Sequence, residues 1–130
     1  MMQVNWENKI ILVVDDTKMN FVVLKIQLRK TNAIVLWFEN GNDVVEYVKN
    51  GNKADLILMD IRMPVMDGIE ASRIIKEFNP GIPIVIQTAS VMGSAFNDIA
   101  LSKCDDTIFK PIDRNKLIET IANQFEKYSK

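Results

Sequence analysis

The sequence predicts an α/β protein, a parallel sheet with helices on both faces. Short continuous apolar runs alternate with segments whose apolar residues recur at helical spacing, and the alternation repeats five times. The runs are apolar throughout, as strands covered on both faces must be. A chain of 130 residues, 48% apolar and 25% charged, is an ordinary composition for one globular domain.

The elements follow in order. Ile10 to Val14 reads as the first strand, and residues from about Lys18 to Lys30 as a helix with Phe21, Leu24 and Leu28 on one side. Ile34 to Phe38 is the second strand. Asn40-Gly41 punctuates it, and Val44, Val45 and Val48 form a short helical stripe. Leu56 to Met59 is the third strand, ending at Asp60, and a loop with Pro64 and Asp67-Gly68 follows. Ala71, Ile74, Ile75 and Phe78 mark the next helix, stopped by Asn79-Pro80-Gly81. Ile82 to Ile86 is the fourth strand, Gly93 to about Ser102 a weaker helix, and Thr107 to Phe109 the fifth strand. Asp113 is placed to cap a last helix with the stripe Leu117, Ile118, Ile121, Ala122 and Phe125. Of the common doubly wound strand orders, 2-1-3-4-5 suits five strands better, although the pattern alone does not fix it.

Composition excludes several functions. The net charge of -1 provides no basic field for nucleic acid. No apolar run approaches the ~20 residues that span a bilayer. Met1 to Glu7 is too polar for a signal peptide, and the single cysteine, Cys104, forms no intrachain disulfide. These features fit the cytoplasm. The chain contains no histidine, so any chemistry runs on carboxylates, lysine, hydroxyls and backbone, or on a group supplied by a partner.

In open parallel sheets, ligands bind beyond the carboxyl ends of the strands, where the strand order reverses. Strand one ends in Asp15-Asp16, strand three in Asp60, strand four in Thr88 and strand five in Lys110-Pro111. Three carboxylates brought together repel one another, and a divalent cation resolves the conflict. Oxygen-only ligands select a hard ion, Mg²⁺ or Mn²⁺, and Mg²⁺ keeps positions open for water and phosphate oxygens. Lys110 adds a positive charge and Thr88 a hydroxyl for a phosphoryl group. A single strand-end aspartate serves equally well as a helix cap, and a single Lys before Pro as a solvated loop residue. Turn chemistry does not account for all of them at one sheet edge.

These residues and their surrounding motifs resemble the receiver domains of two-component response regulators. The motifs are Ile11-Leu12-Val13-Val14-Asp15-Asp16, the long stretch from Asp55 through Asp60-Ile61-Arg62-Met63-Pro64 to Asp67-Gly68, Thr88-Ala89 and Lys110-Pro111. The likeness runs from about Lys9 to Gln124, and its style is closest to receivers of hybrid sensor histidine kinases. It implies a flavodoxin-like five-stranded sheet of order 2-1-3-4-5 with five helices. It divides the chain into an N-terminal extension (1–8), the receiver (9–126) and a tail (127–130).

The resemblance also implies roles. Asp60 matches the phosphoacceptor. Asp16 matches the carboxylate that binds Mg²⁺ directly, Asp15 its neighbour that acts through water, and the backbone carbonyl of Arg62 the third protein ligand; Mn²⁺ is able to substitute. Thr88 matches the hydroxyl that moves to the phosphoryl group, and Lys110 the lysine that bridges to the acceptor. The implied partners are a sensor histidine kinase or histidine phosphotransfer domain as donor and a downstream protein as target. The resemblance leaves room for a phosphorylation-dependent dimer, and implies no direct contact with nucleic acid or membrane. It describes a signalling domain that catalyses its own phosphorylation and slow dephosphorylation rather than an enzyme. The expected location is the cytoplasm, or the cytoplasmic side of a membrane if the parent is a hybrid kinase. A chain ending soon after its last helix is expected to be a stand-alone receiver or an excised piece of a larger protein.

Three positions depart from the family's pattern. Thr107 stands where an aromatic residue is usual, three before the lysine. Lys103 stands where Gly is usual before Cys104-Asp105-Asp106, which predicts an altered or strained helix end. Arg62, long and positive, lies two after the acceptor. The competing readings are a degenerate receiver that only binds a partner, an aspartate-nucleophile phosphohydrolase and a flavin-binding protein of flavodoxin type. The hydrolase would need a second acid where Arg62 stands, and Asp15-Asp16 would repel a flavin phosphate.

Overall fold

A computed structural model of the chain describes residues 4–89 and 99–129. The sheet has five parallel strands in the order 2-1-3-4-5: β1 (Ile10–Val14), β2 (Ile34–Phe38), β3 (Leu56–Asp60), β4 (Ile84–Thr88) and β5 (Asp106–Phe109). Helices α1 (Lys18–Leu28), α2 (Gly41–Lys49), α3 (Gly68–Phe78) and α4 (Arg114–Tyr128) connect or follow them. The helix expected from Gly93 to Ser102 lies mostly outside the described residues; its end, residues 99–101, is helical.

Two cores form because the strands alternate their side chains between faces. On one face Ile11, Val13, Leu58, Val85 and Ile108 pack with Leu24 and Leu28 of α1 and Leu117, Ile118 and Ile121 of α4. On the other, Leu12, Val14, Ile57, Met59, Ile84 and Ile86 pack with Val44, Val45 and Val48 of α2 and Ala71 and Ile75 of α3. Met63 and Met66 pack against this second core, so the methionines after β3 are loop packing. Asn40, Asp67 and the expected Asp113 each cap a helix by accepting a backbone N–H, at 2.8, 2.9 and 3.0 Å. No described helix is long and apolar enough to cross a membrane.

Strands β1, β2 and β3 begin where their apolar runs do, whereas β4 does not. β4 starts at Ile84 rather than Ile82, because Pro83 has no N–H for the ladder and the Ile82 N–H turns back to the Asn79 carbonyl at 3.4 Å. The strand runs through Gln87 and ends at Thr88. At the amino edge of the sheet two aspartates act alike. Asp55 accepts the Ile10 N–H and Asp105 the Ile84 N–H, both at 2.8 Å. Asp105 also pairs with Lys76 at 2.7 Å and accepts from the Tyr128 hydroxyl. Helix α4 therefore runs through Lys127 to Tyr128, residues that the sequence reads as tail. Phe78, counted in the apolar stripe of α3, is 54% exposed.

Lys103 has φ 62°, in the left-handed region, directly before Cys104-Asp105-Asp106. A side chain there costs about 1–2 kcal/mol, whereas Gly adopts the conformation freely. Lys103→Gly is expected to raise stability by about 0.5–1 kcal/mol after the extra entropy of the unfolded chain is subtracted. Urea unfolding checks this, and a loss of stability would contradict it.

Candidate functional site

The carboxyl ends of β1 and β3 are neighbours at the centre of the sheet, with Val14 in register with Met59. Asp15, Asp16 and Asp60 therefore meet. One carboxylate oxygen from each lies within 4.8 Å of the others, the one such cluster of three or more potential ligands among the described residues. Asp15 is fully buried, Asp16 is exposed, and the Asp60 side chain is 13% exposed. The site is thus a shallow well, closed at Asp15 and open to solvent at Asp16.

Several bonds fix the well. Asp15 Oδ1 accepts from the Thr17 N–H at 2.9 Å, and Asn20 Nδ2 donates to both Asp15 oxygens at 3.3 and 3.2 Å. The Asp15 carbonyl accepts from Trp37 Nε1 at 2.8 Å, and the Trp37 ring stacks on Phe21. Asn20 and Trp37 are absent from the sequence-derived site. Their only signal is indirect: Asn20 is a polar residue in the first turn of α1, and Trp37 lies one strand away in sequence. Asp60 Oδ1 accepts the Ile61 N–H at 2.9 Å.

Lys110 reaches in from the end of β5. Its Nζ lies 3.5 Å from Asp60 Oδ1 and 3.6 Å from Asp15 Oδ2, and its N–H donates to the Thr88 carbonyl at 2.9 Å. Thr88 ends β4 and is buried. Arg62 is exposed in the loop after β3. Thr107 is half-buried on β5 in register with Ile86, while Phe109, in register with Thr88, is 49% exposed.

Burial pushes the Asp60 carboxyl above the usual carboxylate range. The Asp15 charge pushes it the same way, and Lys110 and the Ile61 N–H pull against them. With the folded value above the unfolded one, the ionised Asp60 destabilises the fold once the pH exceeds both. Asp60→Asn is therefore expected to raise the melting temperature at neutral pH in EDTA. The gain should shrink in Mg²⁺ if the ion occupies the wild-type site, and a fall in EDTA would contradict the reading.

The donor set fits a hard divalent ion: three carboxylates, no nitrogen or sulfur ligand, and one exposed face for water. The model of the response regulator receiver domain matches residues 11–122. The chain belongs to that family. The receiver is 34% identical over 125 residues to the autoinducer 1 sensor kinase/phosphatase LuxN of Vibrio campbellii, covering 96% of this chain and 14% of LuxN. It is 36% identical over 126 residues to hybrid signal transduction histidine kinase I of Dictyostelium discoideum, covering 91% of this chain and 7% of that protein. Among solved structures it is similar to the receiver domain of sensor histidine kinase PA1611 from Pseudomonas aeruginosa, which has a magnesium ion coordinated in its active-site cleft. The TM-score is 0.85 at 28% identity, covering 91% of this chain and 98% of that one. The receiver thus spans a small part of the kinases it resembles.

Proposed function

We propose that this receiver accepts a phosphoryl group on Asp60 from a phosphohistidine and thereby switches between inactive and active states. The observation that carries the reading is the three-carboxylate well with Lys110 Nζ 3.5 Å from Asp60. A free Asp60 oxygen attacks phosphorus, the P–N bond to the donor imidazole breaks, and an acyl phosphate forms on Asp60. The donor comes from another domain or protein, because this chain has no histidine.

Asp16, Asp60 and the Arg62 carbonyl would hold Mg²⁺ directly, with Asp15 acting through water. The bound ion supplies neutralisation of charge on the transferring oxygens. Lys110 binds one phosphoryl oxygen by exchanging its contact with Asp60 for one with the new group. The Thr88 hydroxyl donates to another. The gain of about -1.5 to -2 charge then biases the ends of β4 and β5 toward a second arrangement. The partners that fit are a sensor histidine kinase or phosphotransfer domain upstream and a protein target downstream. A hybrid kinase parent would place the domain on the cytoplasmic side of a membrane.

The test is transfer from a phosphorylated histidine phosphotransfer domain, with Mg²⁺ or with EDTA. Label is expected to move to the receiver only with Mg²⁺ and to be released by hydroxylamine, as an acyl phosphate is. Label that resists hydroxylamine, or that moves equally in EDTA, would overturn the assignment.

A further inference from the structure

The chain has two tryptophans, and they lie toward opposite edges of the sheet. Trp6 precedes β1 and packs edge-on against Phe125 in the core. Trp37 lies beside the acidic well but has no part in the phosphoryl chemistry. It stands on β2 in register with Val13, and its ring stacks on Phe21 of α1 with the centroids 5.8 Å apart.

The backbone around Asp16 shows what the indole does. The Asp15 N–H donates to the Phe38 carbonyl at 3.0 Å, one step beyond the last ladder pair of Val14 with Phe38. There β2 ends, and the chain turns to Asn40, the cap of α2. Asp15 is fully buried, so its carbonyl needs a partner that the ladder does not supply, and Trp37 Nε1 donates to it at 2.8 Å. A peptide unit is planar, so fixing that carbonyl also fixes the N and Cα of Asp16. The next peptide is held by the Thr17 N–H, which donates to Asp15 Oδ1 at 2.9 Å. The backbone of Asp16 is thus gripped on both sides. Its exposed carboxylate has little else to hold it. Among the described residues its single hydrogen bond comes from Thr17 Oγ1 at 3.4 Å, longer than a usual O–H···O bond. The backbone therefore sets where that carboxylate points, and Trp37 is the grip that comes from another element.

We propose that Trp37 is a positioning residue for the divalent ion. Its indole N–H, acting through the Asp15 carbonyl, holds Asp16 in the orientation that lets Asp15, Asp16 and Asp60 serve one ion. The inference rests on the reading of the well as a Mg²⁺ site. Removing a group that orients metal ligands from behind typically costs about 10- to 100-fold in affinity. Trp37 makes no bond to the carboxylates themselves. Its loss should therefore appear in the Mg²⁺ dissociation constant, and phosphorylation should recover when Mg²⁺ is raised.

The test is titration of Mg²⁺ alone into ¹⁵N-labelled wild type, Trp37→Phe and Phe21→Leu, read on the Asp16 and Asp60 backbone amides. Trp37→Phe keeps an aromatic ring and loses the donor, and its dissociation constant should rise about tenfold or more. Phe21→Leu removes the stack and keeps the indole N–H. It should lower the melting temperature while holding Mg²⁺ affinity closer to that of the wild type. Unchanged affinity in Trp37→Phe would overturn the proposal and leave the indole a structural group. Equal losses in the two variants would overturn it by assigning the effect to packing. One readout needs no variant: in the wild type, Mg²⁺ should shift the Trp37 indole N–H resonance with the same midpoint as the Asp16 amide and leave that of Trp6 unmoved. A silent Trp37 indole would count against the proposal. A wild type that binds no Mg²⁺ would overturn the metal reading together with this inference, whereas a wild type that binds it beside an unaffected Trp37→Phe would overturn the inference alone.

Discussion

Gly68→Ala is expected to cost about 3 kcal/mol or more, at or beyond the upper end of ordinary overpacking. A Cβ at this position would stand 1.9 Å from the Asp60 carbonyl oxygen and 3.0 Å from Ile61 Cα. The obstruction is backbone, so no rotamer change relieves it. Nor can the helix start simply back away, because the Gly68 N–H donates to the Ile61 carbonyl at 2.8 Å and Asp67 caps α3 through the Glu70 N–H. Whatever relaxation occurs must displace the end of β3, which carries the Asp60 side chain. Phosphoryl acceptance should therefore fall more than stability alone explains, by up to about 100-fold for a displacement near 1 Å. Urea unfolding and the rate of phosphorylation under conditions where the variant is folded separate the two effects. A variant within 1 kcal/mol of wild type, phosphorylated at the wild-type rate, would contradict the close approach.

The second large effect lies at the opposite edge of the sheet. Lys76 and Asp105 side chains are each 8% exposed and 2.7 Å apart. Lys76 Nζ also donates to the Ile82 carbonyl at 2.8 Å and to the Tyr128 hydroxyl at 3.0 Å. The group therefore joins α3, the approach to β4, the residue before β5 and the last turn of α4. Lys76→Met leaves a buried carboxylate without its counter-ion and should cost about 3–5 kcal/mol. Tyr128→Phe removes a single hydroxyl and should cost about 1 kcal/mol.

The pH dependence distinguishes the pair from simple packing. Burial alone would raise the Asp105 pKa, but the Lys76 ammonium, the Tyr128 hydroxyl and the Ile84 N–H together hold it below the usual range. A depressed carboxylate contributes its stability above the unfolded value of about 3.9 and loses it as the pH falls through the folded one. In Lys76→Met the dominant pull on the carboxylate is gone and burial raises the pKa instead. The variant's deficit should then be largest at neutral pH and shrink on acidification. Parallel stability curves for the two proteins between pH 7 and 4 would contradict this account.

These effects also mark what the sequence does and does not reveal. Strands, helices and strand-end residues are local patterns. An apolar run followed by Asp15-Asp16 or Asp60, or by Lys110-Pro111, can be read from neighbours alone, and the parallel order then brings the ends together. The Asp113 cap and the strained Lys103 are local as well. Lys76, Asp105 and Tyr128 are far apart in the chain, and each alone reads as a solvated surface residue. Only the packing of α4 across the sheet desolvates them together. Asn20 and Trp37 escape notice for a similar reason, since their part in the site is to bond Asp15 from two other elements. The late start of β4 turns on Pro83, whose missing N–H outweighs the apolar character of Ile82.

The most direct test of the central claim is intact mass after incubation with acetyl phosphate or phosphoramidate, with and without Mg²⁺, beside an Asp60→Asn control. The account predicts a gain of one phosphoryl group that requires both Mg²⁺ and Asp60. No gain from small donors or from a phosphohistidine donor, or an equal gain in the Asn variant, would contradict it.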